Sequence, residues 1–261
     1  MKSIKKITKF SLVILTIFFF ACKKKDDNNN TPTTPRGNIG LHLHTNIGDN
    51  EVEQGDTVAD NLGRLIQLNI AQFYISGIIF KKSDGTTAAL SGVYALKDIE
   101  NEEYVLGQVP TGNYTSVTFN VGIDANTNAT NPSSHTGALG TQNPSMWFGS
   151  TTQGYIFMNL QGMGDTTGTG NYFRPFNYQL GTSTMLKTVT MDLNAMGMSM
   201  PPVSVTTTGT GLFHIICDYG LLLQNLNSFE INNAVATPFN SDSTTVKQIA
   251  DNIPNMFRLD M

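Results

Sequence analysis

The sequence predicts a mainly β chain, a single β-sandwich-like domain with long loops and a short C-terminal helix. Three observations point there. Charged residues are only 14% of the 261, whereas Gly alone contributes 24, a balance suited to turns and short strands rather than to long solvated helices. Apolar residues recur with a period of two in short runs, the spacing of half-buried strands. Between these runs lie clusters of Gly, Pro, Asn and Asp that act as turn signals. This turn-rich spacing fits two packed sheets better than an alternating α/β order.

The chain opens with Lys2, Lys5, Lys6 and Lys9, then an apolar run from Phe10 to Phe20. That run falls short of the roughly 20 apolar residues that span a bilayer, so residues 1–21 read as a removable signal peptide. Ala21 directly before Cys22 resembles the lipobox of bacterial lipoproteins, with Phe19 and Phe20 at the preceding positions. The resemblance implies that Cys22 is acylated. Each buried methylene of such a chain contributes about 0.8 kcal/mol to a membrane anchor. Residues 22–37 follow as a polar, Pro-containing tether that lacks the apolar surface to order itself. Its Lys-Asp-Asp step resembles the export signal of Bacteroidetes-type lipoproteins. The expected location is therefore the outer membrane, facing either the periplasm or the cell surface. With Cys22 lipidated, Cys217 has no disulfide partner, and the domain at 38–261 must be held by its core.

Within that domain, Leu41 and Leu43 alternate with His42 and His44, and Ile66, Leu68 and Ile70 alternate with Gln67 and Asn69. A strand from Phe73 to Phe80 runs toward Asp84-Gly85, a dipeptide that favours a tight hairpin. Tyr104 to Val109 leads through Pro110 and Gly112 to Val117, Phe119, Val121 and Ile123, which reads as a second hairpin. Further strands are expected at Gly154 to Leu160, Tyr172 to Leu180, Thr188 to Leu193 and Leu212 to Asp218. Gly162, Gly164, Gly168 and Gly170 read as a polar turn region. Near the C-terminus Val246, Ile249, Ile253 and Phe257 recur at helical spacing after a capping Thr244 or Thr245, and Pro254 ends the helix.

The chemistry-bearing residues are few. On a strand, residues two apart face the same way with Cα atoms about 6.5 to 7 Å apart, so His42 and His44 are the leading metal candidates; the bland alternative is the wet side of an edge strand. His135, in a polar loop, and His214, inside an apolar run, are weaker candidates, each with a packing or surface role as the alternative. Imidazole serves Zn, Cu and Ni alike, while the thioethers of Met196, Met198 and Met200 would favour Cu(I). Methionines are equally at home filling a core. Trp147, the single tryptophan, ordinarily anchors a core.

Seven segments occur in the order found in the MbnP-like family: His42-Leu-His44, Phe73 to Ile78, the Asp84-Gly85 turn, Val109 to Tyr114, Phe119 to Asp124, Met146-Trp147 and Gly154-Tyr155. The chain resembles that family from about residue 38 to about 220. What the resemblance implies is an extracytoplasmic β domain that binds copper through histidines, beside a tryptophan that a di-haem peroxidase partner oxidises. His42 or His44 would match the family's early histidine. Trp147, preceded by Met146, would match the modified or metal-adjacent tryptophan. The chain departs from the pattern at Gly149 and Gln179, where many members carry Trp and His.

Four of the 16 basic residues lie in the leader, leaving 12 against 20 acidic ones, so nucleic acid is not an expected partner. No phosphate-cradling loop, nucleophile elbow or zinc-protease motif is present, and a non-enzymatic role is expected. Two function classes follow: a copper-binding lipoprotein, or a surface scaffold that contacts glycan or protein without metal.

Overall fold

The computed structural model describes residues 34–195, 200–224, 226, 233–236 and 244–260, the stretch 233–236 by its backbone. The expected signal peptide, Cys22 and most of the expected tether lie outside the described residues, as do Met196 and Met198.

Strand β1 (Arg36–Ile47) is the spine of the first sheet. It pairs in parallel with β13 (Thr210–Asp218) and antiparallel with β7 (Glu103–Pro110) and the two-residue β2 (Asn50–Glu51). The short β15 (Phe257–Leu259) closes the far edge on β13. In the second sheet the long β4 (Leu65–Lys82) lies between β8 (Gly112–Val121) and β9 (Met158–Asp165). Outward from these run β11 (Lys187–Asp192) on one side and β10 (Arg174–Leu180), then β14 (Asn233–Ala236), on the other. Four shorter strands pair along β4 and β8: β3 (Thr57–Ala59), β5 (Thr87–Leu90) and β6 (Ala95–Lys97) with β4, and β12 (Val203–Val205) with β8.

Alternation explains how the layers close. Leu41 and Leu43 of β1 and Phe213 and Ile215 of β13 are fully buried against Phe73, Ile75, Phe80, Phe119 and Val121 of the second sheet. Phe80 meets Phe213 with ring centroids 5.7 Å apart, and Phe257 stands edge-on to Phe73 at 5.7 Å and to Phe119 at 5.3 Å. Burying one such side chain is worth roughly 1.5–3 kcal/mol, so this cluster clamps the sheets together. A smaller core sits on the opposite face of β4, where Tyr74 packs edge-on to Tyr155 at 5.8 Å beside Met146, Ile156 and Phe157.

The mainly β, two-sheet architecture agrees with the sequence expectation, and all these strands fall in one compact unit, Thr34–Met261. Thr244–Asn252 is the expected C-terminal helix (α3), with Val246 and Ile249 buried and Pro254 in the tight turn that ends it. Two expectations are corrected. β7 and β8 do not form a hairpin, because β7 pairs with β1 in one sheet and β8 with β4 in the other. Between them Gly112 has φ +141°, and the chain crosses there from one layer to the other rather than folding back. Gly162 and Gly164 belong to β9 rather than to a loop; a Cβ at Gly162 would stand 2.0 Å from the Gln67 carbonyl oxygen, so only glycine permits β4 and β9 to approach. Gly168 and Gly170 do make the turn that follows, wrapped around the buried Asp165 carboxylate.

A buried ion pair ties the β3–β4 connection to the second helix. Arg64 Nε donates to Asp60 Oδ2 at 2.8 Å, and the same guanidinium donates to the carbonyls of Leu223 and Leu226. Those two residues follow α2 (Tyr219–Leu222). None of the described helices is long and apolar enough to cross a membrane.

Candidate metal centre

The alternation that buries Leu41 and Leu43 turns His42 and His44 onto the outer face of the first sheet, each half-buried. A register shift at Ile39/Gly40 sets the phase of this stretch against β7 and places His42 opposite Glu103. Glycine is required at the shift, since a Cβ on Gly40 would lie 2.1 Å from the Tyr104 carbonyl oxygen. On the other side the parallel register sets His42 directly across from His214. The three imidazoles therefore meet. The rings of His42 and His214 stack 4.8 Å apart at 16°, His42 and His44 lie 4.5 Å apart, and donor nitrogens of all three lie within 4.8 Å of one another.

Carboxylates surround this face. His42 Nε2 lies 3.1 Å from Glu102 Oε2, His44 Nδ1 lies 3.3 Å from Glu51 Oε1, and His44 Nε2 lies 3.4 Å from Asp260 Oδ2. Glu102 is held from the backbone, where Leu43 N donates to its carbonyl at 2.8 Å. Beneath it, the fully buried Lys97 ammonium donates to Thr45 Oγ1 and the Asn101 carbonyl, both at 2.9 Å, and to the Asp98 carbonyl, which pins the 98–101 loop under β1. Burial pushes the Glu102 carboxyl up, but its contacts with Glu51 and His42 and the adjacent His44 hold it below the ordinary value.

Burial, followed by the charge of His42 and then of His44, holds His214 below the ordinary imidazole range. The folded chain thus resists a proton that the unfolded chain accepts. Stability should fall as the pH drops below about 6.5, the free imidazole value, and keep falling until the lower folded value is passed. Urea midpoints measured between pH 8 and 5 check this; a flat profile would contradict it. Cys217, on the inner side of β13, is fully buried and its thiol is pushed up to about 12. It stays protonated and is no ligand.

The other expected site residues do not join the histidines. Trp147 forms a bridge with Tyr155 and packs edge-on to its ring at 4.9 Å, as part of the smaller core. Tyr74, which anchors that core, points away from its neighbour Phe73 in the main core, so the indole and the imidazoles lie on opposite outer faces of the sandwich. The expectation of an indole beside the cation is corrected accordingly. Met146 is fully buried, its carbonyl accepting from Ile156 N at 2.9 Å, and serves packing. His135 Nε2 bonds Thr130 Oγ1 at 2.6 Å in the loop after the short helix α1 (Ala125–Asn128). Met200 alone of the three candidate thioethers is described; it lines a cavity of about 410 Å³ together with His214 and Asp260. Sequence reasoning ranked His214 only as a weaker candidate, because parallel pairing of β1 with β13 joins residues more than 170 positions apart, and it missed Glu51, Glu102 and Asp260 around His42 and His44.

Comparison with known proteins places the chain. The MbnP family profile matches residues 36–242. Among solved structures, MbnP from Methylosinus trichosporium superposes with a TM-score of 0.51 at 14% identity, covering 72% of this chain and 78% of that one. At that identity the likeness speaks for the fold. No curated protein matches the chain.

Proposed function

The chain belongs to the MbnP family, and we propose that it is an extracytoplasmic lipoprotein that binds copper through His42, His44 and His214. The observation that carries this reading is the convergence of three imidazoles from two strands of one sheet, with donor nitrogens within 4.8 Å. Three neutral nitrogen donors fit copper, and equally zinc or nickel. Copper is favoured by the family and by the soft thioether of Met200 in the cavity that His214 also lines. The half-exposed rings leave the site open to exchange, as delivery or uptake of an ion requires. The indole of Trp147 takes no part in this reading.

Anaerobic titration with Cu(I) against a chromophoric chelator tests it: one equivalent retained per chain supports the reading, and none retained refutes it. Anchoring rests on the leader and on Cys22. The mature protein from membranes of a bacterial host should carry a mass increment of acyl chains beginning at Cys22, and Cys22→Ser should release it from the membrane fraction. A wild-type mass matching cleavage without acylation would overturn the lipoprotein assignment.

A further inference from the structure

His44 presents its two ring nitrogens to different surroundings. Nε2 faces Asp260 at 3.4 Å, whereas Nδ1 faces Glu51 Oε1 at 3.3 Å and Glu102 Oε1 at 3.6 Å. The donor atoms of His44, Glu51 and Glu102 all lie within 4.8 Å of one another, and the two carboxyl groups are themselves in side-chain contact. Two ionised carboxylates at that separation repel unless a proton or a cation lies between them. His44 Nδ1 at 3.3 and 3.6 Å adds a third donor that a cation would use and a proton shared by the two carboxyl groups would not need. Donors about 2.0–2.2 Å from a tetrahedral zinc ion are separated from one another by roughly 3.3–3.6 Å, which is the spacing of His44 Nδ1 from each of the two carboxylates. The surroundings agree in sign: the adjoining cavity of about 760 Å³ is lined by Glu51, Glu53, Asp56, Glu100, Glu102 and Glu103, with His42 and no lysine or arginine.

We propose that His44 Nδ1, Glu51 and Glu102 form a second cation site, selective for a divalent ion of mixed nitrogen and oxygen preference such as Zn²⁺, fused through His44 to the three-histidine site. Carboxylate oxygens are hard donors and discriminate against Cu(I), so the two halves sort ions by hardness. The acidic wall offsets the repulsion between neighbouring cations. The pairing of the two sites rests on the copper reading above; the second site by itself does not.

The test is metal stoichiometry on the full chain, with Cu(I) supplied first under anaerobic conditions and Zn²⁺ titrated afterwards, both metals counted by elemental analysis. One copper and one zinc per chain is the expected result. Glu102→Gln and the double variant Glu51→Gln/Glu102→Gln preserve side-chain size at partly exposed positions and should weaken zinc more than about 100-fold, while copper, whose ligands His42 and His44 these carboxylates only orient, weakens by about 10-fold. His214→Ala should do the reverse. No copper retained, with zinc bound by wild type and His214→Ala alike but lost from Glu51→Gln/Glu102→Gln, would sink the three-histidine reading and leave this one standing. Copper-loaded wild type that takes up no zinc, or Gln variants that bind zinc as tightly as wild type while their circular dichroism is unchanged, would show that the carboxylates share a proton and hold no ion.

Discussion

Replacing His214 with alanine should lower the affinity for copper by more than about 100-fold. Loss of a residue that merely orients a ligand typically costs 10- to 100-fold, and removal of a donor atom exceeds that. His214 is the discriminating position because it lies directly across the sheet from His42 and nothing in the local sequence marks it. His42→Ala should behave alike, whereas Trp147→Phe, in the smaller core on the opposite face, should leave the affinity within about threefold. Competition titrations on the three variants decide the matter. Equal affinities for His214→Ala and wild type would mean that the parallel pairing of β1 and β13 does not build the site.

The second large effect concerns stability. Arg64→Met should destabilise the fold by about 3–5 kcal/mol, the cost of removing one member of a buried ion pair and leaving the other uncompensated. In the Asp60–Arg64 pair the side chains are only 1% and 6% exposed. The guanidinium also donates to the carbonyls of Leu223 and Leu226, which methionine would orphan. Urea denaturation followed by tryptophan fluorescence reads the change as a lower midpoint. A loss under about 1 kcal/mol would show that solvent reaches the pair. The paired substitution Asp60→Asn/Arg64→Met should recover part of the loss, since it removes the uncompensated charge and keeps an oxygen for the N–H groups of Leu62 and Arg64.

What the sequence discloses and what it hides follow from the range of the interactions. The outward pair of His42 and His44 is legible because alternation is local, and so is the C-terminal helix, whose spacing of Val246, Ile249 and Ile253 needs no partner to be read. Which strand pairs with which is not local. Pro110 and Gly112 announce a change of direction, but only the competition between two sheets for β7 and β8 decides that the chain switches layers instead of making a hairpin. The same holds for β4, read from the runs Ile66 to Ile70 and Phe73 to Phe80 and present as a single strand of 18 residues, whose irregularity at Leu68/Ile70 is absorbed by β9. His214 sits between Phe213 and Ile215, both fully buried; a histidine in such a run reads as packing until its neighbour strand is known. Trp147 shows the opposite case, a residue made conspicuous by being the only tryptophan that packs on Tyr155 rather than beside the histidines.

The central claim is that copper is held by imidazole nitrogens from β1 and β13, and X-ray absorption at the copper edge of the loaded protein tests it most directly. The account predicts a nitrogen shell with the outer-ring scattering of three imidazoles, reduced to two in His214→Ala. A shell dominated by sulfur, or by oxygen without imidazole scattering, would contradict it.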